Sequence, residues 1–210
     1  MNEIEDIDEF TQVELDYEFP NRILKRKLKD ACDEDDVNRV KKLLEHGVGG
    51  IEDIFMEGVQ DDKLEIVKLF LENDDFLINY SDDDGFTALI HASKFNSKKV
   101  VSYLLACSSA NVNDKVNDNI EDGYTALMFA CSRGNRWIAK ELIKHGADVF
   151  IKNKIGETAY DLFDDSHHAG FDYDNYEDED DKLCNLFQTA MTNKNHDKKD
   201  SDDTNGKQYD

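Results

Sequence analysis

Asp122-Gly123-Tyr124-Thr125-Ala126-Leu127-Met128-Phe129-Ala130 decides the fold of this chain, because the chain contains copies of it. Asp84-Gly85-Phe86-Thr87-Ala88-Leu89 repeats its opening upstream, and Ile155-Gly156-Glu157-Thr158-Ala159-Tyr160 repeats it more faintly downstream. Gly123 and Gly156 are 33 residues apart; Gly85 and Gly123 are 38 apart, the same period lengthened by a polar insertion. Self-similarity at this period predicts stacked supersecondary units, none of which can bury its apolar face alone. Stacks of this kind offer extended binding surfaces and rarely carry chemistry.

A second regularity fills in the units. A small residue followed twelve positions later by Leu or Phe recurs as Ala31 and Leu43, Gly58 and Phe70, Ala92 and Leu104, Ala130 and Leu142. Leu44, Leu71, Leu105 and Ile143 follow the second members, and Val40, Val67, Val101 and Ala139 precede them by three. Each unit therefore reads as a short helix, a tight turn and a second helix with one buried stripe. The small residue lets the first helix lie close to its neighbour.

Turn chemistry agrees. Asp84-Gly85 and Asp122-Gly123 supply positions that tolerate positive φ. Thr87, Thr125 and Thr158 stand where a hydroxyl caps a first turn. Gly47 and Gly146 follow Leu-Leu-Glu-His and Leu-Ile-Lys-His, where a helix C-terminus favours a left-handed residue. Gly134 stands in the turn between two helices of one unit.

Gly123-Tyr124-Thr125-Ala126-Leu127-Met128-Phe129-Ala130 and Leu142-Ile143-Lys144-His145-Gly146-Ala147-Asp148-Val149 resemble the ankyrin repeat, with Ala88, Ala126 and Ala159 where that family usually has Pro. The resemblance implies an all-α solenoid of about five helix-turn-helix repeats joined by β-hairpin-like loops. Expected repeats span about 21–48, 49–81, 82–115, 121–153 and 154–192, the last interrupted by an acidic insertion at 165–181. An acidic leader at 1–20, mixing acids with Ile4, Ile7, Phe10, Val13, Leu15, Tyr17 and Phe19, precedes them. It reads equally as an interaction peptide, a disordered leader, or a cover for the first repeat. The polar tail at 193–210 is expected to be disordered.

Composition limits function. With 48 acidic and 25 basic residues, the net charge of −23 argues against direct nucleic-acid binding and suits a partner with a basic surface, or simple solubility. Met1-Asn2-Glu3-Ile4-Glu5-Asp6 has no basic segment and no apolar run, so it is not expected to be a secretory signal, and no run is long and apolar enough to span a membrane. Cys32, Cys107, Cys131 and Cys184 are scattered without a CxxC pair. They read as thiols in a reducing compartment, cytoplasmic or nuclear.

No phosphate-binding loop, HExxH or nucleophile elbow is present, so no catalytic residue, metal ligand or cofactor is assigned, and the chain is expected not to be an enzyme. The acidic run Asp172–Asp181 lacks the glycine and terminal Glu spacing of a calcium loop and reads as solvated. His91 reads as structural; His46 and His145 are placed to bond helix carbonyls; His167-His168 is a weak metal candidate beside acids. Lys25-Arg26-Lys27-Leu28-Lys29 reads as a solvated helix face in preference to an import signal.

The resemblance also implies where partners bind, namely the concave face of loop tips and first helices. Carried over, it selects Asp83, Asp84, Phe86, Lys94, Phe95, Glu121, Asp122, Tyr124, Ser132, Arg133, Ile155 and Glu157, extended by Gln60 and Asp61. Phe86 and Tyr124, each following a turn glycine, either present exposed aromatics to a partner or pack on neighbouring fingers. Trp137 is either an outward anchor or a filler under the loop at 113–121. The functional expectation is a monomeric scaffold or adaptor that binds another protein; the alternative is an inhibitor that occludes a basic groove with the 165–181 insertion.

Overall fold

Each small residue found by the twelve-residue step lies in a first helix, and each following apolar pair lies in a second. In the computed structural model, residues 20–117, 121, 123–168, 182–190 and 192 are described, with the side chains of 20 and 164–168 left aside. Residues 1–19 of the expected leader, 118–120 of the loop at 113–121, Asp122, residues 169–181 of the expected 165–181 insertion, residue 191 and the tail at 193–210 lie outside these residues. The helices run α1 Pro20–Asp33, α2 Val37–Glu45, α3 Glu52–Gln60, α4 Leu64–Asn73, α5 Ala88–Phe95, α6 Lys98–Ala106, α7 Ala126–Ser132, α8 Arg136–Lys144, α9 Ala159–His168 and α10 182–190. A 3₁₀ turn at Asp75–Ile78 follows α4. Among the described residues β-structure is confined to one antiparallel bridge, Ser81 with Thr87. The protein is all-α, built of helix-turn-helix repeats.

The turn inside each repeat obeys one rule. Asp35, Asp62, Asn96 and Gly134 adopt positive φ, from 56° to 69°. The residue after each donates its backbone N–H to the carbonyl of the small residue: Asp36 to Ala31, Lys63 to Gly58, Ser97 to Ala92, Asn135 to Ala130. This is the left-handed C-terminal closure of a helix. Only one of the four positions is glycine, because Asp and Asn also tolerate that conformation.

The chain divides into two compact units, residues 1–58 with 63–77, and 59–62 with 78–210. In the first, Leu28, Ala31, Val40, Leu43, Phe55, Val67 and Phe70 form the core, with the Phe55 and Phe70 ring centroids 5.9 Å apart. Two cations of the basic run form ion pairs: Lys25 bridges Asp53 at 2.9 Å, and Lys29 bridges Glu57 one turn further on. The same four-residue step on both helices makes this a two-rung ladder. Asn21 pinches the backbone of Gly49, donating to its carbonyl and accepting from its N–H.

In the second unit Ala92, Val101, Leu104, Ala130, Phe129, Ala139 and Leu142 are buried. Thr87 and Thr125 cap α5 and α7, accepting from Ile90 and Met128. Thr158 and Asp161 exchange hydrogen bonds at the start of α9, and the Thr158 backbone N–H holds the Asp161 carboxyl below the ordinary carboxylate range. Leu183 and Phe187 of α10 are fully buried, Phe187 lying edge-on to Tyr160 at 5.5 Å. Asn79 pinches the backbone at Ser109 and Asn111, and Asn113 does the same at Gly146 and Asp148.

Caps are exchanged between repeats. Lys63, Ser97 and Asn135 hold N-cap positions, yet none bonds its own helix. Their side chains reach back to carbonyls of the preceding first helix, at Cys32, Gln60 and Ser93 respectively. The Val100 N–H near the start of α6 is capped instead by Asp62 at 3.0 Å. Asp36, by contrast, caps its own helix through the Arg39 N–H. His46 and His145 bond the carbonyls of Lys42 and Glu141, as their positions lead one to expect.

Candidate functional site

Three loops precede first helices in the second unit, and two share a construction. Asp82 Oδ1 accepts from the N–H of Phe86 at 2.8 Å, and Asn153 Oδ1 accepts from that of Glu157 at 2.8 Å. Backbone bonds from Asp82 N–H to Phe86 and from Asn153 N–H to Glu157 close the two turns. The middle loop is longer, closed by Val116 N–H to the Tyr124 carbonyl and Gly123 N–H to the Val116 carbonyl.

The loops lie against one another. Asn117 N–H donates to the Asp84 carbonyl at 3.0 Å. A Cβ on Gly123 would stand 3.0 Å from Asn153 Cα, and φ there is +82°. Glycine is required at that point by both the backbone and the neighbour.

The expected partner-binding residues fall into distinct classes. Asp83, Asp84, Phe95, Ser132, Arg133 and Ile155 are exposed, Phe95 at 51 % and Ile155 at 76 %. Lys94, Glu121, Tyr124 and Glu157 are half-buried, as is Gln60, while Asp61 is exposed. Asp122 lies outside the described residues. Phe86 is buried, at 6 % exposure, so of the two alternatives it packs on a neighbouring finger and does not present an exposed ring to a partner. Its ring lies 5.7 Å from Phe129 and 5.1 Å from His91, so the next repeat covers it. Tyr124 packs 5.1 Å from Phe129. Burial raises the Tyr124 phenol pKa, the Glu157 carboxylate adding to it and a hydrogen bond to Asn153 opposing.

His91 anchors the first loop to its helix. Its Nε2–H donates to Asp82 Oδ2 at 3.0 Å, while Gln60 Nε2 lies 3.3 Å from Nδ1. Burial holds the imidazole below its ordinary pKa, against the upward pull of the Asp82 hydrogen bond. Phe95 stacks with His91, ring centroids 6.2 Å apart. Lys94 bridges Glu121 at 2.6 Å and stands over Phe86 and Phe129.

Asp82, Phe129 and Asn153 escaped the sequence reading. Asp82 and Asn153 each precede a turn glycine by three, a register that aligning Gly85 with Gly156 would have exposed. Phe129 carried no such sign, since it reads as ordinary core. Trp137 is exposed on α8 at 36 %. All four cysteines are free, and burial pushes the Cys32 thiol up to about 12 and Cys131 higher still. Thiols so raised are poor nucleophiles. Among the described residues no group of His, Cys, Asp and Glu is arranged to hold a metal ion, and no helix is long and apolar enough to cross a membrane. The 165–181 insertion, on which the inhibitor alternative depends, lies mostly outside the described residues.

A family description, Ankyrin repeats (3 copies), matches residues 28–116 and, overlapping them, 55–153. With that match over more than half of its length, and with these repeats, the chain belongs to the ankyrin repeat family. Over 98 residues it is 37% identical to rat Ankyrin repeat and SAM domain-containing protein 6, covering 47% of this chain and 11% of that protein. An ankyrin repeat-containing protein of Treponema pallidum is 33% identical over 117 residues, 56% of this chain and 38% of the relative. Caenorhabditis elegans Ankyrin repeat and KH domain-containing protein mask-1 is 40% identical over 83 residues, 40% of this chain and 3% of the relative. The chain thus spans well under two thirds of the length of each of these relatives. Ankyrin repeats are protein–protein interaction modules on a non-catalytic fold.

Proposed function

We propose that this chain is a non-enzymatic adaptor that binds another protein through the loop side of its second unit. The observation that carries this reading is the pairing of exposed apolar side chains with carboxylates. Phe95 and Ile155 are exposed in a region that also holds Asp83, Asp84, Glu121 and Glu157. Apolar anchors supply affinity, and surrounding charge selects the partner and speeds encounter. A net charge of −23 favours a partner with a basic surface. The proposal includes a repeat domain over 21–192, a monomeric state, and a reducing compartment, cytoplasm or nucleus, in keeping with four free cysteines.

The test is affinity capture with the full chain. Wild type is compared with Phe95→Ser/Ile155→Ser and with Asp83→Asn/Asp84→Asn, each shown by circular dichroism to be folded. The first pair is expected to lose the retained partner. The second is expected to release it at lower salt, because its electrostatic contribution is weakened. Equal retention by all three proteins would sink the assignment of this surface.

A further inference from the structure

In the second unit an ammonium of the protein's own stands against two aromatic rings and a carboxylate. Lys94 Nζ lies 4.5 Å from the Phe86 ring centroid and 5.1 Å from that of Phe129. Glu121 Oε2 is 2.6 Å away. The two rings are inclined by 38° at 5.7 Å, and Tyr124 continues the aromatic wall 5.1 Å from Phe129. Ring faces attract cations through their quadrupoles, and a carboxylate beside them adds a charge-assisted hydrogen bond. A site so built selects for cationic head groups generally.

Lys94 is the side chain that a cationic ligand would have to displace. It sits in the last turn of α5 on a flexible four-carbon stem, and its ammonium is strongly hydrated once released. A guanidinium is more weakly hydrated, stacks flat on aromatic faces and can bond a carboxylate through two N–H groups. The exposed carboxylates of Asp83 and Asp84, on the loop that carries Phe86, favour a second cation near this site. We propose that the Phe86–Phe129–Glu121 cage is an arginine-binding site for the partner, held closed by Lys94 until a partner arginine displaces it. This rests on the reading that the loop side of the second unit binds a basic protein. An occupied site weakens apparent affinity by the fraction of time it is open, so removing the occupant tightens binding.

The probe is a fluorescein-labelled hexa-arginine peptide, titrated by fluorescence anisotropy into the full chain near physiological salt. Four proteins are compared: wild type, Lys94→Gln, Lys98→Gln and the double variant Lys94→Gln/Glu121→Gln. Lys98 is exposed on α6, so its variant controls for the loss of one positive charge. Lys94→Gln is expected to bind on the order of tenfold tighter than wild type and Lys98→Gln, as for a cage open about a tenth of the time. The double variant is expected to lose that gain. If wild type binds but Lys94→Gln only equals Lys98→Gln, the displacement is wrong while the surface reading stands; no binding by any protein overturns both. A wild-type measurement covers the case in which Lys94→Gln misfolds. The Lys94 ε-methylene protons, shielded by the two rings, should move to unshielded NMR positions as peptide saturates. Shielding that persists at saturation overturns the proposal.

Discussion

Gly58 occupies the small-residue position that Ala31, Ala92 and Ala130 fill in the other repeats, yet it needs none of glycine's freedom. An added Cβ would meet Ile66 and Val67 methyls at 3.8 Å, an ordinary contact. Gly58→Ala should therefore raise stability by about 0.5–1 kcal/mol, read from the urea midpoint, because a helix interior favours Ala over Gly. Phe86 lies at the other extreme. Phe86→Ala empties a buried site and should cost about 3–5 kcal/mol, with a fall in melting temperature that a purely surface role would not produce. His91 makes a pH prediction with a definite sign. Its folded pKa is held below the ordinary value of 6.5, so the unfolded imidazole takes its proton first as pH falls. The unfolded state then binds more protons, and stability declines below about pH 6.5 until the folded imidazole also titrates. Urea melts between pH 7.5 and 5 should show a steeper decline for wild type than for His91→Gln; parallel curves would show that the imidazole does not contribute.

Helices in this protein are finished by their neighbours. Ser97 gives its hydroxyl to the Gln60 carbonyl, while Asp62 caps the α6 N–H at Val100. Loss of either side chain leaves a polar backbone group without that partner in a repeat other than the one mutated. Ser97→Ala should cost about 1 kcal/mol, the usual worth of a cap, and Asp62→Ala more than that, because Ala must also hold the left-handed backbone that Asp tolerates. A neutral Ser97→Ala, with an unchanged urea midpoint, would show that the exchanged bond does not stabilise the fold. Such coupling between adjacent elements is the nearest-neighbour term on which stacked repeats depend. It also explains why helices of 7 to 10 residues, such as α7 and α9, persist here. In isolation helices this short are marginal in water.

Across the whole molecule, 48 acidic residues against 25 basic ones make self-repulsion the dominant long-range charge effect. Short ion pairs such as Lys25–Asp53 and Lys94–Glu121 offset only part of it. Raising NaCl from 10 to 500 mM, on the order of a change in screening length from 30 Å to under 10 Å, should raise the melting temperature. A fall on adding salt would mean that the paired charges outweigh the excess. The repeat period, the Thr caps, the left-handed glycines and the buried stripe were all legible without coordinates, because each follows from local backbone geometry or helical periodicity. The candidate surface was legible only in part. Asp83, Asp84, Phe95 and Ile155 were named and are exposed, but Phe86 was named and is inside. Sequence by itself therefore determined the class of fold and the positions of its turns. Tertiary structure alone decided that Phe86 faces Phe129, that Lys94 fills the cage between them and Glu121, and that caps are exchanged between repeats. These depend on which side chains arrive at each site from the neighbouring repeat, and local spacing carries no record of that.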